Sequence, residues 1–231
     1  MKYVVACNRP WCKNLARILS AEREEEFYFI GEKSDLTMEL LEKIDPQYIF
    51  FPHWSYVIPQ EIYTRFECVI FHMTDVPYGR GGSPLQNLIA RGIYETKITA
   101  LRCVEELDAG PVYMKKPLSL YGTAEEIYLR ASRVIEGMII ELLETQHESF
   151  PQEGIPTVFK RRKPEESDLS SAQSLEEVFD KIRMLDAEGY PHAFLNIGTL
   201  KIEFTRASMK TGNIISDARI SFIEKVSEKD Q

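Results

Sequence analysis

The sequence predicts an α/β fold, a doubly wound and mostly parallel sheet followed by a small C-terminal α+β subdomain. Three observations carry that expectation. Apolar runs of strand length alternate with amphipathic stretches through the first third of the chain, the pattern of a parallel sheet with helices on both faces. At 231 residues and 44% hydrophobic content, the chain can bury a complete α/β core and still carry an appendage. The apolar run Cys68-Val-Ile-Phe-His72 leads through a glycine-rich segment to a helix start at Pro84. That order of events occurs at the carboxyl-end crevice where open α/β sheets bind ligands.

Taken in order, Tyr3 to Cys7 reads as a buried strand, and the loop Asn8-Arg-Pro-Trp11 precedes a helix running to about Ser20. Glu26 to Ile30 is a second strand. Asp35 is the expected cap of a helix ending at Ile44, Tyr48 to Phe51 is a third strand, and Ile62 to Phe66 ends a short helix. Val69 to His72 is the central strand; Ser83 as cap and Pro84 at the first helical position then open a helix to Arg91. After Gly92, alternation at Thr96 to Cys103 and again at Val112 to Lys116 reads as a strand pair whose loop has Asp108-Ala-Gly110 at its tip. Thr123 and Glu126 form a capping box for the longest helix, which ends near Gln146.

Residues 152–168 are polar and proline-bearing and read as a linker. A helix from Ser174, capped ahead of Glu177, runs to Leu185, with strands at Ala193 to Ile197, Thr199 to Thr205 and Arg219 to Phe222. The expected organisation is a catalytic domain over 1–150, a linker over 151–168 and a C-terminal subdomain over 169–231.

Composition narrows the function. The net charge of −8 disfavours a nucleic-acid partner, whose phosphates need clustered Lys and Arg. The chain has no apolar run of membrane-spanning length, so no membrane partner is expected. Met1-Lys2 is followed by a short strand and then Asn8-Arg-Pro10, which is not the pattern of a signal peptide, so the expected location is the cytoplasm. Cys7, Cys12, Cys68 and Cys103 show no CxxC spacing and read as buried free thiols, with no disulfide and no metal site.

The glycine-rich segment carries the chemistry. Its glycines suit a loop whose backbone another molecule approaches closely, and Arg80 beside them suits a phosphate or carboxylate. The full pattern His72-x-Thr74-x-x-Pro77-x-x-Arg80-Gly81-x-x-Pro84 resembles the signature of the formyltetrahydrofolate-dependent formyltransferases. The resemblance implies a Rossmann-like formyltransferase domain, N10-formyltetrahydrofolate as co-substrate and no metal. His72 matches the family histidine, and Leu107-Asp108-Ala-Gly110 matches its aspartate loop. Alone, Asp108 reads as a turn residue; its place in a loop between two strands after His72 is what aligns it with the family.

Formyl transfer to an amine needs a proton acceptor and a donor for the oxyanion. The resemblance gives the first task to His72, supported by Asp108. The family asparagine falls two residues before the histidine, on the same strand face, and this chain has Ile70 there. A replacement donor must come from His53, Thr74 or Asn87, or from backbone N–H groups with His72; His53, at a neighbouring strand end, is favoured. Tyr56, Val57 and Ile58 match the family turn that binds the pterin, and Val104, Glu105 and Leu107 match its other wall. Asn8, Trp11, Arg80, Gly81, Gly82 and Asn87 are the expected substrate-binding residues. Val57 and Ile58 also read as plain core, and Arg161-Arg162 as a charged linker surface.

For the acceptor, Phe159-Lys-Arg-Arg-Lys-Pro-Glu-Glu-Ser-Asp168 and the downstream Tyr190-Pro-x-Ala-Phe194 resemble the tail of sugar N-formyltransferases. Among these, the enzymes that formylate UDP-4-amino-4,6-dideoxy-N-acetyl-altrosamine on the pseudaminic acid route look nearest. Other nucleotide-linked 4-amino sugars, a carrier-bound aminoacyl group and an inactive binding homologue are the alternatives. The expected partners are folate and a nucleotide sugar, with room for a homo-oligomer.

Overall fold

The computed structural model describes residues 1–145 and 148–223. Along the chain, β1 (Lys2–Ala6), α1 (Leu15–Glu22), β2 (Glu26–Ile30), α2 (Met38–Ile44), β3 (Tyr48–Pro52), α3 (Gln60–Arg65) and β4 (Cys68–His72) alternate as expected. Next come β5 (Arg80–Gly81), α4 (Pro84–Ile89), β6 (Glu95–Arg102), β7 (Val112–Ser119) and the long α5 (Ala124–Thr145). The main sheet has the order β2-β1-β3-β4-β6-β7. Its first three ladders are parallel, and those joining β4 to β6 and β6 to β7 are antiparallel.

Both faces of this sheet are covered, and the strands show it residue by residue. Tyr3 and Val5, Phe50, and Val69 and Phe71 enter one core with α1 and α5. Val4 and Ala6, Ile49 and Phe51, and Cys68 enter the other with α2 and α3. Strand side chains alternate between faces, so a sheet buried twice needs near-continuous apolar runs, and YVVA, IFF and CVIF are such runs.

Local differences from the expectations have local causes. A 3₁₀ turn at Pro10–Cys12 delays α1 to Leu15, because Pro10 opens the turn and Lys13 N–H closes on the Pro10 carbonyl. That turn folds the chain back so that Cys7 and Cys12 are joined as a disulfide, with Cα atoms 6.4 Å apart, which corrects the expectation of four free thiols. Cys68 and Cys103 are buried and free. Thr37, not Asp35, caps α2 by accepting the Leu40 N–H, while Asp35 lies in a preceding 3₁₀ turn. The Thr123–Glu126 capping box forms reciprocally at 2.8 and 3.3 Å. The expected end of α5, Gln146, lies outside the described residues.

The stretch expected as a linker holds β8 (Val158–Phe159), which pairs in parallel with β5. After it, α6 (Leu175–Arg183) starts at the Ser174 cap, whose hydroxyl accepts the Glu177 N–H at 3.1 Å. Three antiparallel strands follow: β9 (Ala193–Ile197), β10 (Leu200–Lys210) and β11 (Asn213–Phe222). The last two are longer than predicted because a register break between Thr205 and Ser208, with Arg206 at φ 51°, interrupts the period-two pattern. This region packs on the main core. Ile182, Met184, Leu185, Ala187 and Ala193 belong to the core shared with α5, and Arg183 donates to the Leu120 and Gly122 carbonyls.

Candidate active site

An open cavity of about 320 Å³ lies where β1, β3 and β4 end. Chain order reverses around β1, since β2 lies on one side and β3 on the other, and this is the switch point at which open α/β sheets form crevices. Ile70, Phe71, His72 and Met73 from β4 and its exit enter the wall, with Phe51 and His53 from β3 and its exit, and Gly81 to Pro84 from the glycine-rich segment.

His72 is buried, with a protein oxygen beside each ring nitrogen. Nε2 lies 2.8 Å from the Gly79 carbonyl, which can only accept, so Nε2 carries a proton. In the neutral ring the lone pair is then on Nδ1, 3.4 Å from Asp108 Oδ2. The same Asp108 oxygen accepts the Gly81 N–H at 2.9 Å. Asp108 takes φ 54°, a left-handed conformation that Asp tolerates better than most residues. A proton arriving at Nδ1 would therefore lie between the ring and a carboxylate.

A second group holds Asp108 from behind. Gln152 Nε2 donates to the Asp108 and Gly110 carbonyls at 2.8 Å each, and Gln152 Oε1 accepts from Arg80 Nε and Nη2. Arg80 Nη1 donates to Glu106 Oε1 at 3.0 Å. Thus Arg80, expected to bind an anion, is committed to positioning the aspartate loop and is not in the cavity wall. Its partner Gln152 was hidden because nothing in a polar, proline-bearing stretch singles it out.

The glycines also have an internal explanation. A Cβ on Gly81, whose φ is +99°, would stand 2.5 Å from the Phe159 carbonyl oxygen, and one on Gly82 would stand 2.7 Å from Arg161 Cα. Close backbone approach is required as expected, but the approaching atoms belong to residues 158–161 of the same chain. The Ser83 hydroxyl accepts the Arg162 N–H at 3.1 Å and makes no cap bond to α4.

Of the other expected site residues, Tyr56, Val57 and Leu107 line the cavity and stay 42%, 84% and 60% exposed. Ile58 is buried in the second core. Val104 and Glu105 stand outside the wall, as do Asn8, Trp11 and Asn87. Asn8 Oδ1 accepts the Ser55 N–H at 3.2 Å, tying the β1 exit to the β3 exit. Trp11 stacks on Tyr128 with ring centroids 4.5 Å apart.

The three candidate donors differ. Asn87 Nδ2 is shared among the Gly82, Ser83 and Lys160 carbonyls. Thr74 Oγ1 donates to the Gly79 carbonyl at 3.2 Å. His53, at φ 52°, meets Trp11 and Tyr128 edge-on and has a buried Nε2 with no hydrogen-bond partner. Burial lowers the His53 pKa to about 3, with the Arg9 charge adding to the effect, so the ring is neutral.

Sequence reasoning missed Arg9, Gln86, Tyr128, Arg161 and Tyr190 as wall residues. Tyr128 lies on the buried stripe of α5 and reads as core; its hydroxyl donates to Tyr190 at 2.8 Å and accepts from Gln86. Burial pushes the Tyr128 phenol up, reinforced by Tyr190. No group of three or more His, Cys, Asp or Glu residues suited to a metal occurs among the described residues. No described helix is long and apolar enough to cross a membrane.

Comparison with known proteins gives this geometry relatives. Residues 164–221 match the family described as methionyl-tRNA formyltransferase, C-terminal domain. A solved structure described as methionyl-tRNA formyltransferase from Clostridium thermocellum is 50% identical, covers 96% of this chain and 99% of its own, and superposes with a TM-score of 0.94. The curated methionyl-tRNA formyltransferase of Thermotoga neapolitana is 25% identical over 174 residues, which are 71% of this chain. The match spans only 56% of that relative's length. The formyltransferase PseJ from Anoxybacillus kamchatkensis, solved with UDP-4,6-dideoxy-4-formamido-L-AltNAc and tetrahydrofolate, shares the fold. It does so at 19% identity and a TM-score of 0.55, over 69% of this chain and 85% of its own.

Proposed function

The chain belongs to the formyltransferase family that includes the methionyl-tRNA formyltransferases, and from that premise we propose that it transfers a formyl group from N10-formyltetrahydrofolate to the 4-amino group of a nucleotide-linked amino-deoxy sugar. UDP-4-amino-4,6-dideoxy-N-acetyl-altrosamine is the acceptor we favour. The observation that carries formyl transfer is the His72–Asp108 pair, buried at the end of β4 and opening on the cavity. The amine nitrogen attacks the formyl carbon, a C–N bond forms, and the carbonyl oxygen gains charge in a tetrahedral intermediate. His72 takes the amine proton with Asp108 stabilising the imidazolium, and the bond to N10 breaks as N10 is protonated. The products are a formamide and tetrahydrofolate.

The folate fits the rim formed by Tyr56, Val57 and Leu107. Apolar side chains left this exposed beside a cavity suit the face of a flat heteroaromatic ring. With Ile70 at the family asparagine position and lining the cavity, His53 is the proposed oxyanion donor. The division into a catalytic domain over 1–150, a connecting segment over 151–168 and a C-terminal subdomain over 169–231 is part of the same proposal.

A methionyl-tRNA acceptor is the second reading, favoured by the described activity of the 50% identical relative. Charge argues against it. Residues 164–221 hold ten Asp and Glu against six Lys and Arg, whereas a domain that binds RNA needs an excess of basic groups. Incubation with N10-formyltetrahydrofolate and either a panel of UDP-, dTDP- and GDP-linked 4-amino sugars or methionyl-tRNA, read by product mass, tests the proposal. A formylated nucleotide sugar supports it. Formylation of methionyl-tRNA alone overturns the acceptor, and no product from any of these acceptors overturns the activity.

A further inference from the structure

The cavity wall carries two arginines that the formyl-transfer chemistry does not use. Arg9 leaves β1 and lies over the Tyr190 ring at 5.1 Å and near the Trp11 ring at 6.0 Å. Arg161, two residues beyond β8, enters the wall with its Cα packed against Gly82. Neither guanidinium has a hydrogen bond or ion pair among the described residues. The contrast with other arginines nearby is direct: Arg80 is held by Glu106 and Gln152, Arg162 by Glu166 and Arg183 by Asp180.

Charge sharpens the contrast. The chain has a net charge of −8, yet the Lys and Arg side chains lining this cavity, Arg9 and Arg161, face the single carboxylate of Asp108, and the His53 ring among them is neutral. Asp108 is already engaged by Gly81 N–H and His72. An acidic protein that leaves two guanidinium groups unpaired in one concave site presents ten N–H donors to whatever enters, in planar forks suited to phosphoryl oxygens. Tyr190, beneath Arg9, keeps that guanidinium in place by cation–π contact without neutralising it.

We propose that Arg9 and Arg161 form a diphosphate-binding site for the acceptor, gripping the phosphoryl groups while the amine reaches His72. The inference rests on the nucleotide-sugar reading above and names the residues that would select it. Neither arginine touches the reacting atoms, so both act in binding. Their loss raises the KM for the acceptor and leaves the affinity for folate unchanged.

Calorimetric titration of the full chain with UDP, dTDP, GDP and inorganic pyrophosphate, with 5-formyltetrahydrofolate as the folate probe, tests this directly. The expected result is diphosphate binding that weakens with added salt and falls by about tenfold or more in Arg161→Gln and again in Arg9→Gln, while the folate probe binds all variants alike. Pyrophosphate binding as tight as UDP assigns recognition to the phosphoryl groups alone, and tighter UDP adds a base contact; both support the site. Arg161 is exposed, so Arg161→Gln tests the idea even if Arg9→Gln fails to fold. Equal diphosphate binding by wild type and Arg161→Gln, no binding of any diphosphate, or loss of the folate probe instead would each overturn it. Titration needs no turnover, so a chain that binds UDP but transfers no formyl group leaves this site standing and removes only the catalytic reading.

Discussion

Asp108 Oδ2 serves His72 and the glycine-rich segment at once, standing 3.4 Å from His72 Nδ1 while accepting the Gly81 N–H at 2.9 Å. The aspartate therefore has an electrostatic task and a structural one, and the two are separable by substitution. Asn in its place keeps an oxygen acceptor for Gly81 and tolerates φ 54°. Ala loses the acceptor and meets strain in the left-handed region.

Asp108→Asn is accordingly expected to fold with near-native stability and to lose turnover, since an amide cannot stabilise imidazolium. Asp108→Ala should lose turnover and also about 1–3 kcal/mol of stability, because the buried Gly81 N–H is left unpaired. His72→Asn should lower turnover by about 10²-fold or more, the usual contribution of a general base. Urea unfolding together with steady-state rates checks all three. A fully active His72→Asn enzyme removes His72 from the mechanism.

Gly81→Ala tests whether the glycine-rich segment answers to the chain itself or to a ligand. The new Cβ would meet the Phe159 carbonyl oxygen at 2.5 Å, at φ +99°. Backbone atoms cannot yield as a flexible side chain can, so the variant should lose about 1–3 kcal/mol with no ligand present. Unchanged unfolding in urea, combined with weaker substrate binding, would return the glycine to a ligand-facing role.

How far the sequence reached follows from which signals are local. Apolar runs buried on both faces, the Thr123–Glu126 capping box and the His72-to-Pro84 pattern are all legible in short windows, and they place the sheet, the long helix and a histidine at the end of the central strand. What stayed hidden depends on distant segments meeting. Phe159 and Arg161 pack on Gly81 and Gly82, Gln152 holds the Asp108 carbonyl, and Tyr190 reaches Tyr128 across 62 residues. From sequence alone, a loop arginine beside glycines looks available to an anion. The partners of Arg80, Glu106 and Gln152, lie 26 and 72 residues away.

His53 gives stability a pH dependence. Its folded pKa is about 3, against an ordinary value of 6.5, chiefly through burial. Below pH 6.5 the unfolded chain binds a proton that the folded chain refuses until pH nears 3, so this residue's contribution is neutral above 6.5 and destabilising as pH falls through that window. The loss should reach up to about 2 kcal/mol near pH 5. His53→Asn, which tolerates the left-handed backbone, should flatten the decline between pH 7 and 5 in thermal unfolding. Parallel pH profiles for the two proteins would show that His53 titrates normally.

Of the three side chains proposed to stand in for the family asparagine, two are already occupied. Thr74 gives its hydroxyl hydrogen to Gly79, and Asn87 gives its amide to three carbonyls. His53 lines the cavity as a neutral imidazole with a buried, unpartnered Nε2. An oxyanion donor acts mainly in the transition state, so His53→Ala should lower kcat by about 10²-fold while the folate affinity holds. Thr74→Val and Asn87→Ala should act on stability and leave kcat within a few-fold of wild type in the folded fraction. Ile70→Asn is the converse test: an amide beside His72, on the same strand face, should restore much of the rate to the His53→Ala protein. If His53→Ala retains full kcat, the oxyanion rests on backbone N–H groups and His72 alone; if Ile70→Asn fails to rescue a slowed His53→Ala enzyme, the two positions do not share one task.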